Sequence, residues 1–161
     1  RSAVPRFAAE NIIPSMQPYH IFDDGSWAYK RIDHDRLSRT YVFKTLIESG
    51  TNLTFGSDWT VAPLNPVTGI YAAVTRRTRD GKNPHGWYPN EKISVEDALR
   101  SYTINNAYAA FWENKTGSIT AGKYADFAVH SVNFLTAAPK EILHSKVLRT
   151  VVAGKDYIFE K

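Results

Sequence analysis

The sequence predicts an α/β fold: a parallel strand–helix–strand unit, then helices, then a small β tail. Three observations carry that prediction. Short apolar runs at residues 12–17 and 52–56 flank a segment of helical period, the order of a βαβ unit with a right-handed crossover. Ser94-Val95-Glu96-Asp97 has the form of a helix start. After Gly117, β-branched residues gather in short runs separated by glycine turns.

Taken in order, Val4, Phe7 and Ala8 recur at helical spacing over residues 4–10, and Asn11 is able to close that turn in a left-handed conformation. Residues 12–17 read as a buried strand that ends at Pro18. The polar stretch 19–37 exceeds an ordinary connection and is a candidate functional loop. Residues 38–49 read as a helix with Val42, Phe43, Leu46 and Ile47 inward and Gly50 as its stop. Residues 52–56 return as a strand.

Residues 63–66 are irregular, 67–77 helical, and 80–90 a loop rich in Gly, Pro and Asn. A helix then runs from Ser94 through Trp112, with Val95, Ala98, Leu99, Tyr102 and Ala109 along one face. In the tail, 117–119, 125–130 and 147–152 read as strands. Turns fall at Ala121-Gly122-Lys123 and Ala153-Gly154-Lys155. The organisation is therefore a unit over 1–116 and a β unit over 117–161.

The 161 residues are enough for a real core, and 43% hydrophobic with 22% charged residues is ordinary for a globular chain. No apolar run reaches the length of a membrane span, and residues 1–6 lack the apolar centre of a signal peptide. The absence of cysteine excludes disulfides and thiolate metal sites and leaves the compartment open. A net charge of +4 permits a nucleic-acid partner. However, the basic residues are scattered and no run alternates them with stacking aromatics, so neither nucleic acid nor membrane is expected as a partner.

Asp58, in Leu53-Thr54-Phe55-Gly56-Ser57-Asp58-Trp59, leads the candidates for chemistry. A carboxylate at a strand's carboxyl end can ligate a divalent cation and accept a proton from water. A simple turn, with Asp58 bonded to nearby amides, is the plainer reading of the tripeptide alone. His20 follows the other strand, and parallel strands bring their carboxyl ends to one crevice. It could bind metal or orient a substrate. His34, His85, His130 and His144 are isolated in sequence, and a hydrolytic zinc site needs about three protein ligands. Trp27, Trp59 and Trp87 could line a pocket for an apolar substrate or simply pack over the scaffold. A nucleophile elbow and a phosphate-cradling glycine loop are both absent from the sequence.

Several stretches together resemble the amidohydrolase superfamily, in the branch of N-substituted formamide deformylase-like hydrolases called amidohydrolase family 3. The carriers are Pro14-Ser15-Met16-Gln17-Pro18-Tyr19-His20, Phe55-Gly56-Ser57-Asp58-Trp59, the segment 66–77, Ser94-Val95-Glu96-Asp97-Ala98-Leu99, the segment 117–127, and Val151-Val152-Ala153-Gly154-Lys155. The resemblance implies a metal-dependent TIM barrel beside a small β-sandwich. Residues 1–116 would be the C-terminal part of the barrel, with strands seven and eight, and 117–161 part of a composite sandwich. It implies that Asp58 is a metal ligand and catalytic proton carrier, and that His20 and Trp59 contact substrate. It implies a divalent metal, zinc, and a small-molecule amide-type substrate whose non-peptide C–N bond is hydrolysed by activated water.

The family's remaining metal ligands would precede Arg1, so the resemblance covers roughly the C-terminal third of such an enzyme. Two strands cannot close a barrel. The segment alone is therefore expected to be inactive and to need the missing N-terminal barrel segment as its partner, with homo-oligomer formation left open. The alternative is a non-catalytic α/β module, derived from such a barrel, that binds a ligand or partner.

Overall fold

The computed structural model describes residues 3–157; the expectations for Arg1, Ser2 and residues 158–161 lie outside the described residues. Strands β1 (Ser15–Met16) and β2 (Thr54–Phe55) pair in parallel, with Ser15 opposite Thr54 and Met16 opposite Phe55. Thr54 N–H donates to Pro14 O at 2.9 Å and Gly56 N–H to Met16 O at 3.0 Å. The parallel unit is thus present, but each strand is shorter than its apolar run. Pro14 and Pro18 bracket β1, and neither has an N–H to extend a ladder.

Helix α1 (Val4–Ala9) precedes β1, and Asn11 has φ 52° as its left-handed turn requires. The stretch 19–37 departs from the expected open loop. It folds into α2 (Tyr19–Asp24), a 3₁₀ turn at Ala28–Lys30 and α3 (His34–Leu37). Pro18 at φ −63° opens α2, and Asp33 Oδ1 accepts the Arg36 N–H at 2.9 Å to cap α3. Ile21 and Leu37 are buried and pin both pieces to the core.

Helix α4 (Phe43–Glu48) starts five residues later than its sequence period suggests, because Tyr41 adopts φ 53° and breaks the run. Its cap residue, Val42, offers no side-chain acceptor. Glu91 supplies one from 46 residues away, its carboxylate taking the Thr45 N–H at 3.0 Å and the Thr45 hydroxyl. Gly50 at φ 84° ends the connection to β2.

Helix α5 (Val67–Thr75) is buried nearly all round, as befits a helix packed by others on several sides. It contacts α2, as well as α6 (Val95–Tyr102) and α8 (Pro139–Leu143). Gly69 is required there: a Cβ would meet Tyr102 Oη at 2.1 Å.

The single helix expected from Ser94 to Trp112 is two. Helix α6 is capped by Ser94 Oγ, which accepts the Asp97 N–H at 3.0 Å, and α7 spans Ile104–Ala109. They break at Thr103, whose hydroxyl bonds back to Leu99 O at 2.7 Å. The tail holds an antiparallel sheet in the order β3 (Phe127–His130), β4 (Val147–Val152), β5 (Lys155–Tyr157). Residues 117–119, expected as strand, form none, and Ile119 there is exposed. Ala153 and Gly154, both at positive φ, make the β4–β5 hairpin turn.

One core links these pieces. Phe43 and Phe55 meet edge-on at 4.9 Å and Phe55 meets Tyr102 at 5.4 Å; Phe134 and Ile142 of the tail join the same cluster. No helix among the described residues is long and apolar enough to cross a membrane.

Candidate active site

Asp58 stands three residues beyond β2, and His20 is the second residue of α2, four beyond β1. Because the strands are parallel, both side chains emerge at one end of the sheet. They meet there: His20 Nε2–H donates to Asp58 Oδ2 at 2.9 Å, a bond in which an ionised carboxylate can only accept. The His20 side chain is 21% exposed and that of Asp58 47%, so the pair opens to solvent.

The turn that presents Asp58 is held in place. Asp58 itself sits at φ 59°, a left-handed conformation that Asp tolerates better than most residues but at some cost. Ala62 N–H donates to Asp58 O at 2.9 Å and Ser57 Oγ–H to Leu64 O at 2.8 Å, closing the loop on itself. On the edge of β2 away from β1, Asn105 Nδ2–H reaches Leu53 O at 2.8 Å, and Asn106 Nδ2–H reaches Phe55 O at 2.9 Å. Two helix side chains therefore fix the strand that carries the carboxylate.

These asparagines are absent from the candidates read off the sequence. A signal exists: adjacent Asn residues are poor helix formers, and they persist inside α7 because their amides are used elsewhere. Arg76 was also missed. It is fully buried and left-handed at φ 54°, with Nε–H donating to Trp87 O at 2.7 Å and Nη1–H to Tyr41 O at 2.8 Å. Burial pushes its guanidinium down to about 10, while the nearby Glu91 charge opposes that fall.

Of the three candidate tryptophans, Trp59 follows Asp58 and is 67% exposed, whereas Trp27 and Trp87 line one cleft together. His130 packs against Phe134 at 4.6 Å, and burial pulls its pKa below the ordinary histidine value. Among the described residues no group of three His, Asp or Glu side chains is placed to hold a metal. His20 and Asp58 are donor types that a divalent hydrolytic metal accepts. They are two where about three are needed, so the pair fits as part of a metal site and not as a whole one.

The sequence matches the amidohydrolase family over residues 1–156. It is 40% identical over 151 residues to the Protein LONG AFTER FAR-RED 3 of Arabidopsis thaliana, covering 93% of this chain and 25% of that protein. It is 30% identical over 128 residues to the N-substituted formamide deformylase of Arthrobacter pascens, covering 80% of this chain and 22% of that one. The chain therefore spans about a quarter of the length of these curated relatives. In structure it is similar to an uncharacterized metal-dependent hydrolase from Pyrococcus horikoshii. The TM-score is 0.75 at 23% identity, over 86% of this chain and 28% of that one. That likeness establishes an α/β fold resembling part of such a hydrolase.

Proposed function

Because this chain belongs to the amidohydrolase family, we propose that it forms the C-terminal part of a metal-dependent hydrolase. The bond cleaved is a non-peptide C–N bond in a small amide or cyclic amide. On this reading residues 1–116 complete a barrel, and 117–161 contribute to a composite β-sandwich. The observation that carries the reading is the bonded pair His20–Asp58 at the shared carboxyl end of two parallel strands.

The geometry supports the following chemistry for these residues. Asp58 keeps a carboxylate open to solvent at the crevice, where it can take a proton from the attacking water and return it to the leaving nitrogen. His20, by donating to Oδ2, turns the carboxylate and leaves Oδ1 for that work. Trp59, exposed beside Asp58, offers an apolar face to substrate. A divalent metal, zinc on this reading, would supply Lewis-acid polarisation when bound. Asp58 would help to hold it, with the other donors coming from outside this chain.

The isolated chain is then inactive, and its partner is the rest of the barrel. Replacing Asp58 by Asn in the polypeptide that carries this chain tests the assignment, with loss of amide hydrolysis expected. A non-catalytic binding module is the second reading. It is favoured by the lack of a three-ligand cluster among the described residues, and it predicts that Asp58→Asn changes no activity.

A further inference from the structure

We propose that Ser57 is a positioning residue for the Asp58 carboxylate, its hydroxyl tying down the loop on which Asp58 would otherwise move freely. That Asp58 meets a metal rests on the hydrolase reading above; that Ser57 sets its position does not.

Asp58 lies at the start of the connection from β2 to α5, and both ends of that connection are rigid. Strand β2 is held on one edge by β1 and on the other by Asn105 and Asn106. Helix α5 is set in the core through Ile70, Ala72 and Ala73. Asn65 ties the connection to that helix, its Oδ1 accepting the Val67 N–H at 3.0 Å. Between these anchors, residues 57–64 form neither helix nor strand, and of them only Ala62 is buried. A segment with so few buried contacts opens readily unless its own bonds close it.

Two nested bonds do so. Ser57 Oγ–H donates to Leu64 O at 2.8 Å, and inside that ring Ala62 N–H donates to Asp58 O at 2.9 Å. The outer bond fastens the end of the loop to its start. Asp58 therefore sits at the neck, while Trp59 and Val61 carry their side chains on the exposed tip.

The neck needs fastening because Asp58 is strained. Its φ of 59° is left-handed, a conformation that costs an L-residue energy and persists where the surroundings impose it. Released, Asp58 relaxes toward negative φ, which swings its carboxylate away from His20 Nε2, now 2.9 Å distant. Leu64 is 67% exposed, so water can replace the lost donor at its carbonyl. Removing the Ser57 hydroxyl should thus misplace the carboxylate without unfolding the chain.

The full polypeptide carrying these residues is compared with its Ser57→Ala and Ser57→Thr variants by exchange of the Ala62 amide hydrogen, calorimetric titration with zinc, and thermal melts. Ser57→Ala should melt as the parent does and exchange the Ala62 amide several-fold faster, as the loss of a bond of ordinary strength allows. It should bind zinc about tenfold to a hundredfold more weakly, the usual effect of losing a group that orients a ligand. Ser57→Thr, which keeps a hydroxyl, should restore both. Parental exchange at Ala62 in folded Ser57→Ala overturns the proposal, as does faster exchange with parental zinc affinity. If Ser57→Ala fails to fold, Asn65→Ala, which frees the other end of the loop, decides by the same two readouts. A parent that binds no zinc overturns the hydrolase reading alone, and exchange at Ala62 then decides the proposal.

Discussion

The imidazole of His20 donates from Nε2 to Oδ2 of Asp58, 38 positions away in sequence, across 2.9 Å and joins the ends of two strands. Neither side chain belongs to a strand. Each follows one within a few residues, so the parallel register of Ser15 with Thr54 and Met16 with Phe55 is what brings them together.

If His20 orients the carboxylate, His20→Ala should lower hydrolysis by about tenfold to a hundredfold, the usual effect of losing a group that aligns a catalytic one. The KM should change less than kcat. Unfolding in urea should move little, since the pair is open to solvent and such pairs contribute at most about 1 kcal/mol.

Asn106 holds the far edge of β2 through Phe55 O. Asn106→Ala should destabilise the fold by roughly 1–3 kcal/mol, because a strand carbonyl loses its donor in a partly buried place. Asn106→Asp should not rescue it, since a carboxylate has no N–H to give. Urea midpoints of the two variants against the parent check this.

Glu91 caps α4 from a distant loop. Glu91→Ala should cost about 1–2 kcal/mol, as the loss of a helix cap does. Hydrogen exchange should show the first turn of α4 opening before the rest of the helix; unchanged protection there would argue against the cap.

Tyr102 carries a buried hydroxyl that finds no hydrogen-bond partner among the described residues, and burial pushes its phenol above the ordinary tyrosine value. Its folded pKa exceeds its unfolded one. Its contribution to stability is therefore complete below about pH 10 and is lost as pH rises beyond that. Tyr102→Phe should flatten the alkaline loss of stability. At neutral pH it should be neutral or stabilising by about 1 kcal/mol. Gly69→Ala should destabilise the parent, and Tyr102→Phe should relieve part of that by removing the oxygen the new Cβ meets. Melting curves at pH 7 and above pH 10 measure all three effects.

The parallel unit and both members of the His20–Asp58 pair were legible in the sequence because their signals are local. An apolar run bounded by Pro or Gly marks a strand, and polar residues just past two parallel strands come together at one end of the sheet. The β4–β5 hairpin was half legible, since Ala153-Gly154 marked the turn but not the short strand after it. The helices α2 and α3 were hidden inside a polar stretch. Each is too short to show a period, and one buried residue apiece, Ile21 and Leu37, anchors them. Glu91, Asn106 and Arg76 act on residues 46, 51 and 35 positions away, and no local pattern encodes such partners.

The central claim is that Asp58 is the ligand and proton carrier of a hydrolytic metal site. Metal content and amide hydrolysis, measured together on the full polypeptide carrying this chain and on its Asp58→Asn variant, test it most directly. The account predicts that the variant folds with an unchanged melting profile, binds less metal, and loses hydrolysis by roughly 10²- to 10⁴-fold. A folded Asp58→Asn variant with parental metal content and parental rate would contradict it.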